Sequence, residues 1–397
     1  MDFTRVELSS EDREFRDRLR LFLAEVVTDE VIRRDRETGE NFDEGVHLAL
    51  GAKGYLADDF YDESDGGFGA LRRRIWDLEI GRAHTPWFHW GTTAVVARMM
   101  RDFGPPELTD EVLPGVLSGE TRLCLGYTEP EGGSDVATCK TRAVRDGEGW
   151  IINGAKMFTS NAHNAKYVFL LTNTDPDGPK HKNLTMFLVP LDAPGVDIQP
   201  IRTVDGDRTN IVFYSDVRID DRYRIGPVNG GWGVLRGALD EEHGTAEKEQ
   251  DGLQRIAVMS EHLTLMAEAI DAIAALAGRE RPDGSRLIDD GSVAYRLGRS
   301  VARTEAALGT PGMFGRVANA QTMRDCAPDL MDILGTASAL PVDTDGAADS
   351  ADNGGAEYAF RLASPVGIYG GTLEVFRNMI AQHALGLGRP AYAPPRS

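Results

Sequence analysis

Hydroxyls, carboxylates and paired glycines gather in a few stretches of this chain, and these are the groups with which it could do chemistry. The densest is Cys124-Leu-Gly-Tyr-Thr-Glu-Pro-Glu-Gly-Gly-Ser-Asp-Val-Ala-Thr138. Its hydroxyls can donate to a ligand, and Gly132-Gly133 lets the backbone approach one closely. Asn153-Gly-Ala-Lys-Met-Phe-Thr-Ser160 is a second such stretch, and Ile368-Tyr-Gly-Gly-Thr-Leu-Glu-Val-Phe-Arg-Asn378 a third. Leu239-Asp-Glu-Glu-His243 is acidic. It is either an exposed helix turn or, if taken out of water, a source of a carboxylate with raised pKa able to remove a proton. The compact signatures are missing: the sequence has no GxxxxGK, no GxGxxG between a strand and a helix, no HExxH and no GxSxG. Its eight histidines do not pair at metal-ligand spacing, and Cys124, Cys139 and Cys326 form neither a metal pattern nor a disulfide framework. No metal is expected, and the cysteines read as small buried hydrophobes. Gly230-Gly231-Trp232-Gly233 reads as a helix-entry turn.

The elements that must position these groups follow from periodicity. Ser9 and Asp12 fit a capping box ahead of Phe15, Leu19, Phe22, Leu23 and Val26 at helical spacing. The stretch from Gly54 to Gly69 is looser, and helical patterns resume over 72–81, 92–103 and 107–117. From Arg122 the period changes. Asp146-Gly147 is a turn, and Asn153-Gly154 predicts a second hairpin with Lys156-Met157-Phe158 as its returning strand. Apolar runs at 167–171, 184–189, 196–201 and 211–219 suggest a compact antiparallel sheet. After Gly231 the helical period returns. It predicts one long helix through Leu253, Ile256, Ala257, Leu263, Ala267, Ile270 and Ile273 and another over 293–308, with polar loops at 279–291 and 343–355.

Composition bounds the function. The 397 residues carry 43 basic and 63 acidic side chains, a net charge of −20, with 41% apolar residues. Such a balance suits a folded chain and excludes duplex nucleic acid or anionic membranes as partners. No uncharged apolar run reaches the roughly 18 residues of a membrane span. The first fifteen residues resemble neither a secretory signal nor a transit peptide, so the expected location is cytoplasmic.

The four stretches, in this order, resemble the acyl-CoA dehydrogenase family. The first matches its Tyr-Thr-Glu-Pro … Gly-Ser-Asp signature, and the second its other flavin segment. Gly231-Trp232 with 239–243 resembles the start of the active-site helix, and 368–378 running on to Leu385-Gly-Leu-Gly-Arg389 resembles the C-terminal signature. The resemblance implies an α+β chain: an N-terminal α-helical domain (1–122), a middle antiparallel β-domain (123–228) and a C-terminal four-helix bundle (229–397). It implies FAD as cofactor, an acyl-CoA substrate, an electron-transfer flavoprotein as acceptor, and a homo-oligomer, dimer or tetramer, with a hetero-oligomer as the alternative.

The same resemblance implies roles. Leu125, Tyr127, Thr128, Gly133 and Ser134 would contact the flavin, with Ser134 also towards substrate. Phe158 would flank the ring, with Thr159 and Ser160 near N5. Thr372 and Glu374 would touch the cofactor, and Arg279 or Arg281 its diphosphate, although the family's Phe-Gly after that arginine is absent. Many members carry the catalytic base where this chain has Gly370, which has no side chain but can offer its N–H to the thioester carbonyl. Others carry it on the active-site helix as Leu-x-x-Glu-Arg, which makes Glu242 the base here. The following arginine is replaced by His243, either a titratable stand-in on the substrate or a surface histidine. Two other readings share the fold: a non-catalytic subunit paired with an active homologue, and a flavin oxidase or monooxygenase.

Overall fold

The computed structural model describes residues 7–242, 259–339 and 354–388. They fall into two compact units, 7–242 and the remainder.

The first unit begins with helices. Ser9 caps α1 (Ser10–Val26) by accepting from the Asp12 N–H at 3.1 Å, and Phe15, Leu19 and Leu23 are its buried residues. Then come α2 (Asp29–Thr38), α3 (Glu44–Ala52), α4 (Tyr55–Phe60), α5 (Ala70–Arg82), α6 (Phe88–Phe103) and α7 (Pro106–Ser118). The looser stretch at 54–69 thus contains one short helix, α4, entered through Gly54 in the left-handed conformation. Gly39 ends α2 at φ 63, where an added Cβ would lie 2.1 Å from the Gly206 oxygen. Only glycine lets the end of α2 close on the sheet there.

The sheet holds β1 (Leu123–Gly126), β2 (Arg142–Asp146), β3 (Gly149–Lys156), β4 (Tyr167–Asn173), β5 (Leu184–Pro190), β6 (Val196–Arg202), β7 (Arg208–Asp220) and β8 (Arg224–Ile225). Its order is β6-β7-β3-β2-β4-β5-β8, with β1 pairing β4. The pairings are antiparallel apart from β1–β4 and the single β2–β4 pair, which are parallel. Tyr167, Phe169 and Leu171 face the core shared with the helices, while Val168 and Leu170 face a second core on the other side. Burial on both faces makes β4 and β5 read as unbroken apolar runs. After the sheet, α8 (Gly231–Glu242) packs on β5, and a Cβ on Gly231 would lie 2.8 Å from the Thr185 Cα.

One sequence expectation fails here. Asn153-Gly154 is not a hairpin, because β3 runs straight through it and the tight turn is at Asp146-Gly147. Gly154 instead sits in a bulge against β7, at φ 147, with the position of a Cβ only 2.6 Å from Thr141 Oγ1. Asn153 closes the bulge by exchanging hydrogen bonds with Asp216 at 3.0 and 2.9 Å.

Among the described residues the second unit packs four helices into a bundle, α9 (Ser260–Ala277), α10 (Gly291–Leu308), α11 (Gly312–Leu334) and α12 (Gly355–Leu362), followed by α13 (Leu373–Met379). Leu263, Met266, Ile270 and Ile273 of α9 meet Leu297, Met323, Leu330 and Leu362 in its core. Leu253, Ile256, Ala257 and most of the 343–355 loop lie outside the described residues. The three cysteines are free and buried. No helix among the described residues is long and apolar enough to cross a membrane.

Replacing Gly154 by valine sets a branched side chain against Thr141 in a conformation that L residues avoid. The expected loss is about 2–4 kcal/mol in denaturant unfolding, while Asn153→Ala, which removes only the closing hydrogen bonds, loses about 1 kcal/mol.

Candidate active site

Two of the singled-out segments, some thirty residues apart, leave the sheet side by side. Beyond β1 and β3, the Met157 N–H donates to the Thr128 oxygen at 2.9 Å. Beneath this junction lies a fully buried lysine. Lys156 Nζ donates to the Tyr127 oxygen at 3.2 Å and to Glu129 Oε1 at 2.8 Å, and lies 3.3 Å from Cys139 Sγ. Glu129 also accepts from the Lys140 N–H at 2.7 Å and the Thr141 N–H at 2.8 Å. The carboxylate and ammonium therefore bury each other with most of their hydrogen-bonding capacity used. Burial alone would raise the Glu129 pKa, but the Lys156 charge and the hydrogen bonds overcome it and hold the group at about 2. Burial pushes the Cys139 thiol up to about 11, so it stays neutral. Glu129 and Gly132 exchange main-chain hydrogen bonds at 3.0 and 3.1 Å, closing the turn that leads to Gly133 and Ser134.

Above the junction the surface is mixed apolar and hydroxylic. Phe158 is 56% exposed and sits at φ 57, a left-handed conformation unusual for a bulky residue. Thr159 is buried, its N–H donates to the Asn210 oxygen at 2.9 Å, and its hydroxyl has no partner among the described residues. Ser160 Oγ lies 3.0 Å from Thr209 Oγ1. Leu125, Tyr127 and Thr128 are half-buried, and Gly133 and Ser134 are exposed. The Tyr127 ring packs edge-on to Phe169 at 6.2 Å. Strands β1 and β3 thus bring Leu125 to Ser134 and Phe158 to Ser160 to one edge of the sheet. An exposed phenyl beside hydroxyls and free-standing glycines suits a flat ring with polar edges.

Position 242 is the last described residue of α8, seven residues after buried Leu235 and four after buried Ala238. Trp232, in its first turn, packs at a tilt against His181 with ring centroids 4.2 Å apart. His243 lies outside the described residues.

The remaining singled-out residues belong to the second unit. Gly370 and Gly371 are consecutive left-handed residues at φ 59 and 91, ahead of Thr372, which caps α13 by accepting from the Val375 N–H at 3.3 Å. Glu374 is exposed in its first turn. The loop hangs on a residue that sequence reasoning passed over: buried Arg316, whose Nη2 donates to the oxygens of Val366 at 2.7 Å, Tyr369 at 2.9 Å and Gly371 at 3.3 Å. Arg279 and Arg281 are exposed in the loop after α9. Lys156 and Arg316 share one signal, a basic residue where strand or helix period requires a buried one.

Comparison with known proteins matches residues 9–120 to the acyl-CoA dehydrogenase N-terminal domain and residues 124–221 to its middle domain. The acyl-CoA dehydrogenase IpdE1 of Mycolicibacterium smegmatis is 32% identical over 342 residues, 81% of this chain and 82% of that protein. FadE26 of Mycobacterium tuberculosis is 29% identical over 97% of this chain and 99% of its own. The match to FadE29 of the same organism, at 33%, spans 62% of that relative, less than two thirds. Among solved structures, the ChsE4–ChsE5 complex of Mycobacterium tuberculosis superposes with a TM-score of 0.80 at 27% identity, and the Tcur3481–Tcur3483 steroid ACAD with 0.80 at 29%. Each covers 98% of this chain and 100% of that one.

Substituting Lys156 by methionine strands a buried carboxylate and is expected to destabilise the fold by about 3–5 kcal/mol in denaturant titration. The Glu129 pKa of about 2 lies below the ordinary value of about 4.3. Its contribution is therefore complete above the ordinary value and disappears as pH falls towards the folded one. Between pH 4.5 and 2 the thermal midpoint of wild type should fall more steeply than that of Glu129→Gln, measured by circular dichroism.

Proposed function

Because the chain belongs to the acyl-CoA dehydrogenase family, we propose that it oxidises the Cα–Cβ bond of an acyl-CoA thioester to the trans-2-enoyl thioester, with FAD as the immediate oxidant. The observation that carries this reading is the Met157–Thr128 junction, which sets the exposed Phe158 ring beside the Thr128 and Ser160 segments. This chain's residues fit a flavin. Phe158 offers an uncovered apolar face and Ser160 a hydroxyl, and a Cβ on Gly133 would meet only ordinary contact, 3.4 Å from the Thr128 methyl.

FAD, when bound, supplies a two-electron acceptor for the β-hydride. The chain's own groups do the rest. Leu125, Tyr127, Thr128, Gly133 and Ser134 would hold the ring and its polar edge, Phe158 would lie against it, and Thr159 and Ser160 would face N5. In the second unit, the family resemblance assigns Thr372, Glu374 and Arg279 (or Arg281) to cofactor contacts as well. Glu242 takes the α-proton: the Cα–H bonding pair becomes the new π bond as the Cβ–H pair leaves as hydride, so electrons balance. The same resemblance assigns the Gly370 N–H, Ser134 and His243 to the thioester and its CoA. Main-chain donors at the thioester oxygen favour the charge that develops there.

The likeness to a steroid ACAD extends the proposal to a bulky acyl group, steroid-derived, rather than a short straight chain. The acceptor of the electrons is an electron-transfer flavoprotein, and the assembly is a dimer or tetramer in the cytoplasm. A second reading has two observations in its favour: position 370 lacks the carboxylate, and the similar ChsE4–ChsE5 structure is a complex. In that reading this chain is the subunit without chemistry in a mixed assembly.

Dye-coupled turnover of a CoA-thioester panel decides between them. Wild type is expected to turn over a bulky thioester without releasing hydrogen peroxide, and Glu242→Gln to lower kcat by about 10²–10⁴-fold with KM little changed. Equal activity in the variant removes Glu242 from its role. Inactivity of the chain alone, restored by a paired homologue even with Glu242→Gln, establishes the second reading, and peroxide release establishes an oxidase.

A further inference from the structure

The turn that presents Phe158 and Ser160 is strained twice over. Phe158 at φ 57 and Asn161 at φ 64 are both non-glycine residues in the left-handed region, three residues apart. Such conformations persist only where the surroundings over-determine them. The nearest support is Asn210 of β7, whose oxygen accepts from the Thr159 N–H at 2.9 Å and whose Nδ2 donates to the Thr159 oxygen at 3.0 Å. The same Nδ2 lies 3.1 Å from His163 Nδ1. The other ring nitrogen, Nε2, pairs with Glu40 Oε2 and lies 3.0 Å from Asn164 Nδ2.

Glu40 is not a loose surface acid. It follows Gly39 at the end of α2, whose oxygen accepts from the Arg208 N–H at 2.8 Å. Asn164 Nδ2 reaches the same carboxylate at 3.3 Å, and Arg208 Nη1 lies 3.7 Å away. The His163 and Glu40 side chains are 15% and 21% exposed, so water competes little with the hydrogen bond between them. The carboxylate is anchored in the helical layer, the imidazole in the turn and the amide in the sheet.

We propose that the Glu40–His163–Asn210 chain is a positioning device, which holds the Phe158–Asn161 turn in its strained geometry and so fixes the ring and hydroxyl offered to the flavin. The three residues act through the turn and do not touch the reacting atoms. For the flavin the inference rests on the function proposed above; for the turn it rests on geometry alone.

Hydrogen exchange and flavin retention, measured on full-length wild type, His163→Phe, His163→Gln and Glu40→Gln, test it. In His163→Phe the amides of residues 157–166 are expected to exchange on the order of tenfold faster or more, with those of β4 and β5 unchanged. The visible flavin band should shift and the flavin should wash out on dilution. His163→Gln and Glu40→Gln, which each keep one polar partner, should fall between. Exchange equal to wild type, or faster exchange spread evenly over the sheet, overturns the positioning role, as does an unaltered flavin spectrum in all three variants. A wild type that takes up no flavin overturns the flavoprotein reading, and the exchange pattern then decides the turn by itself.

Discussion

One buried ion pair underlies the whole arrangement of the first unit. Lys156 and Glu129 come from the two segments that leave the sheet together, and neither could be buried without the other. The pair fixes more than itself. Lys156 also holds the Tyr127 carbonyl, and Glu129 gathers the main-chain amides that open the 140–141 stretch. A ligand platform built from two separate strand exits needs such a lock, because a loose exit blurs the position of every hydroxyl it carries. An apolar pair could have filled the same space. It would not have specified which carbonyl and which amides converge.

The surrounding layers make this lock possible. Strands β4 and β5 are covered on both faces, by the helical layer on one side and by the Trp150–Phe187–Tyr214 core on the other. That cover keeps water away from Lys156. The opposite demand operates at the exposed edge, where Phe158 stays uncovered and backbone strain is tolerated. Stability is thus concentrated beneath the platform, and strain and exposed apolar surface above it, which is how a fold reserves a face for a ligand.

Much of this was legible in the sequence. The helices declared themselves by period and by the Ser9 cap, and the strands by unbroken apolar runs. The two glycine- and hydroxyl-rich segments could be picked out before any coordinates, and the structure joins them. The Asn153-Gly154 hairpin misled because a dipeptide signal describes only local backbone. Here Thr141 crowds the position from across the sheet, and glycine answers that contact rather than a turn. Lys156 was legible in principle, as a charge at an inward strand position. The His163–Glu40 contact was not, since it joins residues 123 apart in sequence through side chains ordinary in either context. Arg316 is similar: its three carbonyl partners lie at least 50 residues further on.

Anaerobic titration of the purified protein with CoA thioesters, followed in the visible spectrum, tests whether this platform holds a flavin that an acyl-CoA reduces. The protein is expected to be yellow, to be bleached stoichiometrically by a bulky, steroid-side-chain thioester and to be bleached weakly by a short straight-chain one. A colourless protein that takes up no added FAD, or a yellow one that no CoA thioester reduces, would contradict it.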